Sequence, residues 1–183
     1  MKKILCILSL LLGLIFFSCD CGTESKPEPV EPTVLLTSSA TGAAIGEIVT
    51  ANLGVKGLSE LASIGVKITY DPYKVEIAGM TRTDTWLTSN GGTIQQMEFS
   101  SDNTAGSAKI VLSIFPTSKA VGDTSETIHN IAQLRVKAKS AGTATLTVSI
   151  NNAQDSDLGI FNKSANLVSG VKTQNLSITV HSK

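Results

Sequence analysis

The chain has 183 residues with 15 basic and 15 acidic side chains, so its formal charge is zero. That balance excludes the basic footprint of a nucleic-acid-binding protein and the acidic tail that holds a basic partner. Only 8 aromatic residues stand against 41 Ser and Thr and 15 Gly, a composition that suits one all-β domain whose core needs no disulfide.

The chain opens with Lys2 and Lys3, followed by an apolar run of 14 residues over 4–17. A membrane-spanning helix needs roughly 20 apolar residues, so this run reads as the apolar part of a signal peptide covering 1–18. The junction Phe16-Phe17-Ser18-Cys19 resembles the lipobox of bacterial lipoproteins, although Leu is commoner where Phe16 stands. The resemblance implies cleavage before Cys19, a diacyl group on its sulfur and acylation of its nitrogen. A lipid anchor of two or more chains holds a protein stably at a membrane. The expected location is therefore extracytoplasmic, on a bacterial membrane. Asp20 resembles the inner-membrane retention signal of many Gram-negative lipoproteins, and inner and outer membrane stay open. Cys6 leaves with the signal peptide, so Cys21 is the one thiol left beside a lipidated Cys19. It has no internal disulfide partner.

Residues 19–32 form a tether. Pro27, Pro29 and Pro32 alternate with charge and present no apolar face. At about 3.1 Å per residue such a segment lifts the folded domain roughly 30 Å from a bilayer.

That domain is expected over 33–183, and its apolar period is two. The first strand is expected over 34–37. Val49, Ala51, Leu53 and Val55 alternate with polar or small residues, as do Ile64, Val66, Ile68 and Tyr70. Strands over 75–82 and 93–100 come next, then the rows Ile110, Leu112, Ile114 and Leu134, Val136, Ala138. Ala144, Leu146, Val148 and Ile150, and finally Leu176, Ile178 and Val180, complete the set. Alternation of this kind gives each strand one wet and one buried face. Asp71-Pro72, Asn90-Gly91-Gly92 and Ser140-Ala141-Gly142 supply turns. About nine strands and no long helix make a β-sandwich. Residues 128–139 could be argued as a helix, but alternation from Ala132 onward favours a strand. Gly57-Leu58-Ser59-Glu60 reads as a loop.

Ile68-Thr69-Tyr70-Asp71-Pro72 followed by Lys74-Val75-Glu76-Ile77 resembles the Tyr-Asp-Pro turn and next strand of the cohesin domain family. Ala44-Ile45-Gly46-Glu47, the segment from Ile131 to Ala138 with Ala141-Gly142-Thr143, and Asp155-Ser156-Asp157-Leu158-Gly159 fall in the same order as further family landmarks. The resemblance covers the mature domain and implies a jelly-roll sandwich. Carbohydrate-binding modules and bacterial adhesion domains share that architecture. Cohesins dock dockerins on an exposed sheet face, using an Asn and an Asp eight and six residues before the turn's Asp. Those places hold Ser63 and Gly65 here, so a dockerin or a different protein ligand stays open for the face. Pro72 ends its strand and Asp71 bonds the turn backbone for structural reasons alone.

No nucleophile elbow, zinc helix or Ser-x-x-Lys motif is present, and the two histidines are His129 and His181. A binding module rather than an enzyme is expected, with no cofactor and no catalytic residue. The candidate protein-docking face is Ser63, Gly65, Lys67 and Thr69, which share the wet side of one strand. Gly65 is expected to point to water there, so that Gly65→Arg spares the fold. The other reading is a carbohydrate-binding lipoprotein taking part in polysaccharide recognition or breakdown, with Tyr73 and Trp86 as its candidate glycan platform and Asn90 nearby. Tyr70, Phe99 and Phe115 read as core. Asp155 and Asp157 copy part of a calcium loop and are the weak metal candidates, the plainer alternative being a solvated turn with side-chain-to-backbone bonds.

The expected anchor is testable. Cys19→Ala should release the protein from the membrane fraction or leave it unprocessed. Unchanged partitioning and cleavage would refute lipidation.

Overall fold

The structure is a computed structural model that describes residues 30–151 and 155–182. The signal segment, Cys19, Cys21 and most of the tether lie outside the described residues. In chain order the strands are β1 (Thr33–Ser38), β2 (Gly42–Ala44), β3 (Ile48–Lys56), β4 (Leu58–Leu61), β5 (Ser63–Thr69), β6 (Val75–Arg82) and β7 (Thr93–Asp102). They continue as β8 (Ser107–Phe115), β9 (Val121–Asp123), β10 (His129–Ala138), β11 (Gly142–Ser149), β12 (Gly159–Phe161), β13 (Lys172–Gln174) and β14 (Leu176–His181).

All nine expected segments, six of them alternating, form strands, and residues 129–138 are a strand rather than a helix. The described chain has fourteen strands, however, not nine. The five extra ones, β2, β4, β9, β12 and β13, are three or four residues long, too short to show a period. The expected loop at 57–60 is a correction of the same kind. Leu58 and Leu61 are both buried, and the pairing of β4 with β9 slips between them. Apolar residues three apart therefore face the same side, which alternation does not anticipate.

Two sheets pack face to face. One runs β13-β1-β3-β10-β6; the other runs β2-β14-β11-β5-β8-β7, with β12 also paired to β5. The inward rows named from the sequence meet between them. Leu53 and Leu134 from the first sheet and Ile64, Ile68, Ile110 and Leu146 from the second are almost wholly buried in one cluster. This is the all-β jelly-roll sandwich expected.

The Tyr-Asp-Pro turn ties the two sheets together at one edge. The Asp71 carboxylate accepts the Tyr73 N–H at 2.8 Å, and the Asp71 carbonyl accepts that of Lys74 at 3.0 Å. Tyr70 is buried, as expected, and its hydroxyl donates to Asn103 Oδ1 at 2.7 Å. Asn103 also accepts the Ile77 N–H at 2.8 Å and donates to the Ile77 carbonyl at 3.1 Å. One amide thus joins the β7–β8 hairpin to the edge strand of the opposite sheet. Gly106 has φ +64°, and a Cβ there would lie 2.2 Å from the Tyr70 carbonyl oxygen. Only glycine lets the hairpin close on the turn.

Leu134→Ala should cost about 3 kcal/mol, since a wholly buried side chain leaves a cavity in a layer that cannot collapse around it. A denaturant midpoint within error of the parent would refute this description of the core.

Candidate functional site

The outer face of the second sheet is set by pairing. Ser63, Gly65, Lys67 and Thr69 of β5 lie opposite Ser113, Val111, Lys109 and Ser107 of β8. Beyond β8, the row on β7 includes Gln95, Glu98, Ser100 and Asp102. On the other side of β5, Thr147 and Ser149 of β11 pair with Thr69 and Lys67, while Gly159 and Phe161 of β12 pair with Gly65 and Ser63. β11 and β12 are thus two halves of one line along β5, separated by residues 150–158.

Part of that separating segment folds over the sheet. A Cβ on Gly65 would lie 1.7 Å from the Asp157 carbonyl oxygen and 3.0 Å from the Leu158 Cα. Gly65 is buried, not open to water, which corrects the expectation for the centre of the docking face. Ser63 and Lys67 are half-buried and Thr69 is exposed. The Ser63 hydroxyl is already engaged, 3.0 Å from the Leu112 carbonyl and 2.9 Å from Ser113 Oγ. The two positions where the resemblance places an Asn and an Asp therefore offer a partner no free amide or carboxylate.

The covering loop is pinned by charge. Lys109 Nζ lies 3.1 Å from Asp155, 3.2 Å from Glu98 and 3.6 Å from Asp157. The hydrogen bond from Lys109 holds the Asp155 carboxyl below its usual range, and the same bond, with Glu98 assisting, raises the lysine. Asp155 also accepts the Asp157 N–H at 3.3 Å, and its carbonyl accepts that of Leu158 at 3.2 Å. Asp155 and Asp157 are therefore the side-chain-bonded turn of the plainer reading. An ammonium stands where the calcium reading needed a metal, and no metal-holding cluster occurs among the described residues.

Toward the Ser63 end, the face becomes a groove of about 350 Å³. Its floor is Ser63, Val111 and Ser113, with Met97 and Glu98 on one side and Ser156, Asp157 and Phe161 on the other. Met97 is 68% exposed, Phe115 57% and Leu167 54%. Phe115 continues the outward row of β8 past Ser113, so it is not core as expected, while Phe99 is half-buried against the core. Leu167 bridges to Phe161, and Gly159 leaves room for both: its absent Cβ would meet Leu167 at 2.6 Å and the Phe161 ring at 3.3 Å. Sequence reasoning missed this apolar group. Parity from Ile114 was sufficient to place Phe115 outward. Met97 gave no such signal, because pairing slips between Gln96 and Glu98.

The aromatic platform does not assemble. Trp86 is half-buried against the core and stacks on His129, with ring centroids 4.3 Å apart. His129 Nε2 lies 2.7 Å from Asp123, whose carboxyl is held down at about 2 by hydrogen bonds from Ser125 and then His129. His129 begins β10. Tyr73 sits past its other end, where the Ser140 hydroxyl donates to the Tyr73 carbonyl at 2.8 Å. A ten-residue strand separates the two rings by about 30 Å. Asn90 donates to the Ala120 carbonyl at 2.7 Å. Tyr73 and Trp86 are two isolated aromatics, a correction to the glycan candidate.

The family model for the cohesin domain matches residues 33–180. The chain belongs to the cohesin domain family. Solved cohesins share its fold at low identity. A type II cohesin domain from the cellulosome of Acetivibrio cellulolyticus is 15% identical with a TM-score of 0.64, over 81% of this chain and 95% of that one. A type II cohesin–X–dockerin complex from the same organism gives 16% and 0.62, over 82% and 100%. A non-cellulosomal cohesin from the archaeon Archaeoglobus fulgidus gives 12% and 0.56, over 83% and 92%. No curated protein matches the chain.

The loop over β5 has a direct consequence. Gly65→Arg should lower the melting temperature by several degrees, because any side chain there must expel the loop at a cost of about 1–3 kcal/mol. An unchanged melt would show that the loop is not seated on Gly65.

Proposed function

We propose that this cohesin domain is a non-catalytic docking module, lipid-anchored through Cys19 at the outside of a bacterial membrane. Its partner is a protein, and it seats on the outer face of the second sheet. One observation carries the reading. Of the six exposed large apolar side chains in the described chain, three are Met97, Phe115 and Leu167, and all three belong to this face or the segment bridged to it. A clustered exposed apolar group rimmed by polar residues marks an interaction surface. Family membership supports a dockerin-type partner, since a similar type II cohesin was solved in complex with one. The footprint here is displaced from the middle of β5, which the chain's own loop covers, toward Ser63 and Phe161.

The double variant Met97→Ser with Phe115→Ser tests the face. It should fold as the parent does, since both side chains are exposed, and should lose about tenfold or more in affinity for dockerins or lysate proteins that the parent retains. Undiminished retention would place the docking surface elsewhere.

A further inference from the structure

We infer that the end of the sandwich from which the tether leaves rests on the bilayer surface, with Ile128 and Trp86 in the headgroup region. The inference rests on the lipid anchor at Cys19 proposed above and adds a second membrane contact, made by the folded domain itself.

The place where the chain leaves the domain decides which surface meets the membrane. β1 begins at Thr33, opposite Lys56 at the end of β3, and Val55 of β3 pairs with His129 at the start of β10. The residues before β1 are fastened to that same end. The Pro32 carbonyl accepts the Lys172 N–H at 2.8 Å. The Glu31 carbonyl oxygen and the Val30 side chain lie over Gly57, where a Cβ would meet them at 2.8 and 2.9 Å. The Gly57 N–H in turn donates to the Ser125 carbonyl at 3.2 Å. Val30 is thus a fixed exit point beside the segment that leads to Ile128 and His129. Cys19 lies eleven residues earlier, a reach of at most about 40 Å. That length limits how far this end can move from the bilayer and leaves contact within range.

An apolar hollow of about 440 Å³ opens at this end, lined by Trp86, Ile128, His129 and Asn130 with the hydroxyl residues Thr85 and Ser89. Ile128 is 42% exposed and crosses the outer side of the first sheet over Gly54, whose absent Cβ would meet Ile128 Cγ2 at 2.6 Å. The other two large apolar side chains exposed away from the docking face, Ile48 and Tyr73, sit toward the opposite end. Ile48 pairs with Lys137 near the end of β10, and Tyr73 is bonded to Ser140 beyond it. An indole set among hydroxyls and an amide suits the interfacial layer of a bilayer, where one side is apolar and the other wet. The ion pairs near the hollow, Lys56–Glu126, Arg82–Asp84 and Lys172–Glu31, cancel in sign. Contact therefore comes from apolar insertion and not from attraction to anionic lipid.

One isoleucine and part of one indole hold a free domain only weakly. The anchor changes this, because a short linker presents the hollow to the bilayer at an effective concentration on the order of millimolar. The docking face, on the outer side of the second sheet, then opens sideways and stays clear of the membrane.

Trp86 is the single tryptophan of the chain, so its emission reports this contact alone. The full protein, extracted from membranes, is reconstituted in phosphatidylcholine vesicles with and without lipid brominated near the glycerol end of its acyl chains. Interfacial side chains sit about 5–10 Å into the headgroup and acyl boundary, so the brominated lipid should quench Trp86 emission by about half. Ile128→Asp, and more mildly Ile128→Ser, should restore most of that emission while the protein stays on the vesicles and keeps its melting temperature. Protein that floats with the vesicles but emits equally with and without bromine overturns this inference and leaves the anchor standing. Protein that does not float overturns the anchor, and the inference with it. Quenching that requires anionic lipid, or that ignores both Ile128 variants, overturns insertion through this hollow.

Discussion

The missing side chain at Gly65 is the constraint on which the outer surface of the second sheet depends. β5 pairs with β8 on one side and with β11 and then β12 on the other, so its middle has no free edge. The loop between β11 and β12 can cross that middle only because nothing projects from it. With Asp157's backbone seated there, the loop becomes one wall of a groove, and the apolar side chains around Ser63 acquire a boundary. A side chain at this one position would remove the wall and flatten the face.

Charge fixes what shape allows. Lys109 has three N–H donors and meets three carboxylates, two from the loop and one from β7. The lysine is part of the chain, so the loop is held without a dissociable ligand. Its partly exposed position also means that the pairs are screened and individually modest. Seating on Gly65 and pairing with Lys109 act together, one by close contact and the other by attraction.

The two ends of the sandwich carry different duties. At one end the Asp71 turn, Asn103 and Gly106 lock the sheets together through satisfied backbone and amide bonds. Near the start of β10, Trp86, His129 and Asp123 form a stacked and hydrogen-bonded set against the core edge. Both are explained by packing. Of the six large apolar side chains exposed in the described chain, Met97, Phe115 and Leu167 are the three on or beside the outer face of the second sheet, and these carry the functional reading. Burial rather than residue type separates the two cases: Trp86 looked like the best ligand platform by type, and Met97 drew no notice.

The sequence alone determined the two-layer β architecture. A period of two over six segments admits one wet and one dry face; Ala144 to Ile150 obeys it throughout, and Val49 to Val55 and Ile64 to Ile68 depart from it only at the buried glycines Gly54 and Gly65. It also carried the family, because the Tyr70-Asp71-Pro72 turn is local, with Asp71 closing it on the N–H groups of Tyr73 and Lys74. Short strands such as β4 and β12 were invisible, since three or four residues have no period and their pairing is decided by partners far along the chain. Parity correctly put Ser63, Gly65, Lys67 and Thr69 on one face, yet parity knows only the strand's own two sides. Whether a face meets water depends on what else crosses it. The cover over Gly65, the ammonium between Asp155 and Glu98, and the distance from Tyr73 to Trp86 all arise between residues remote in sequence, and only the packed structure decided them.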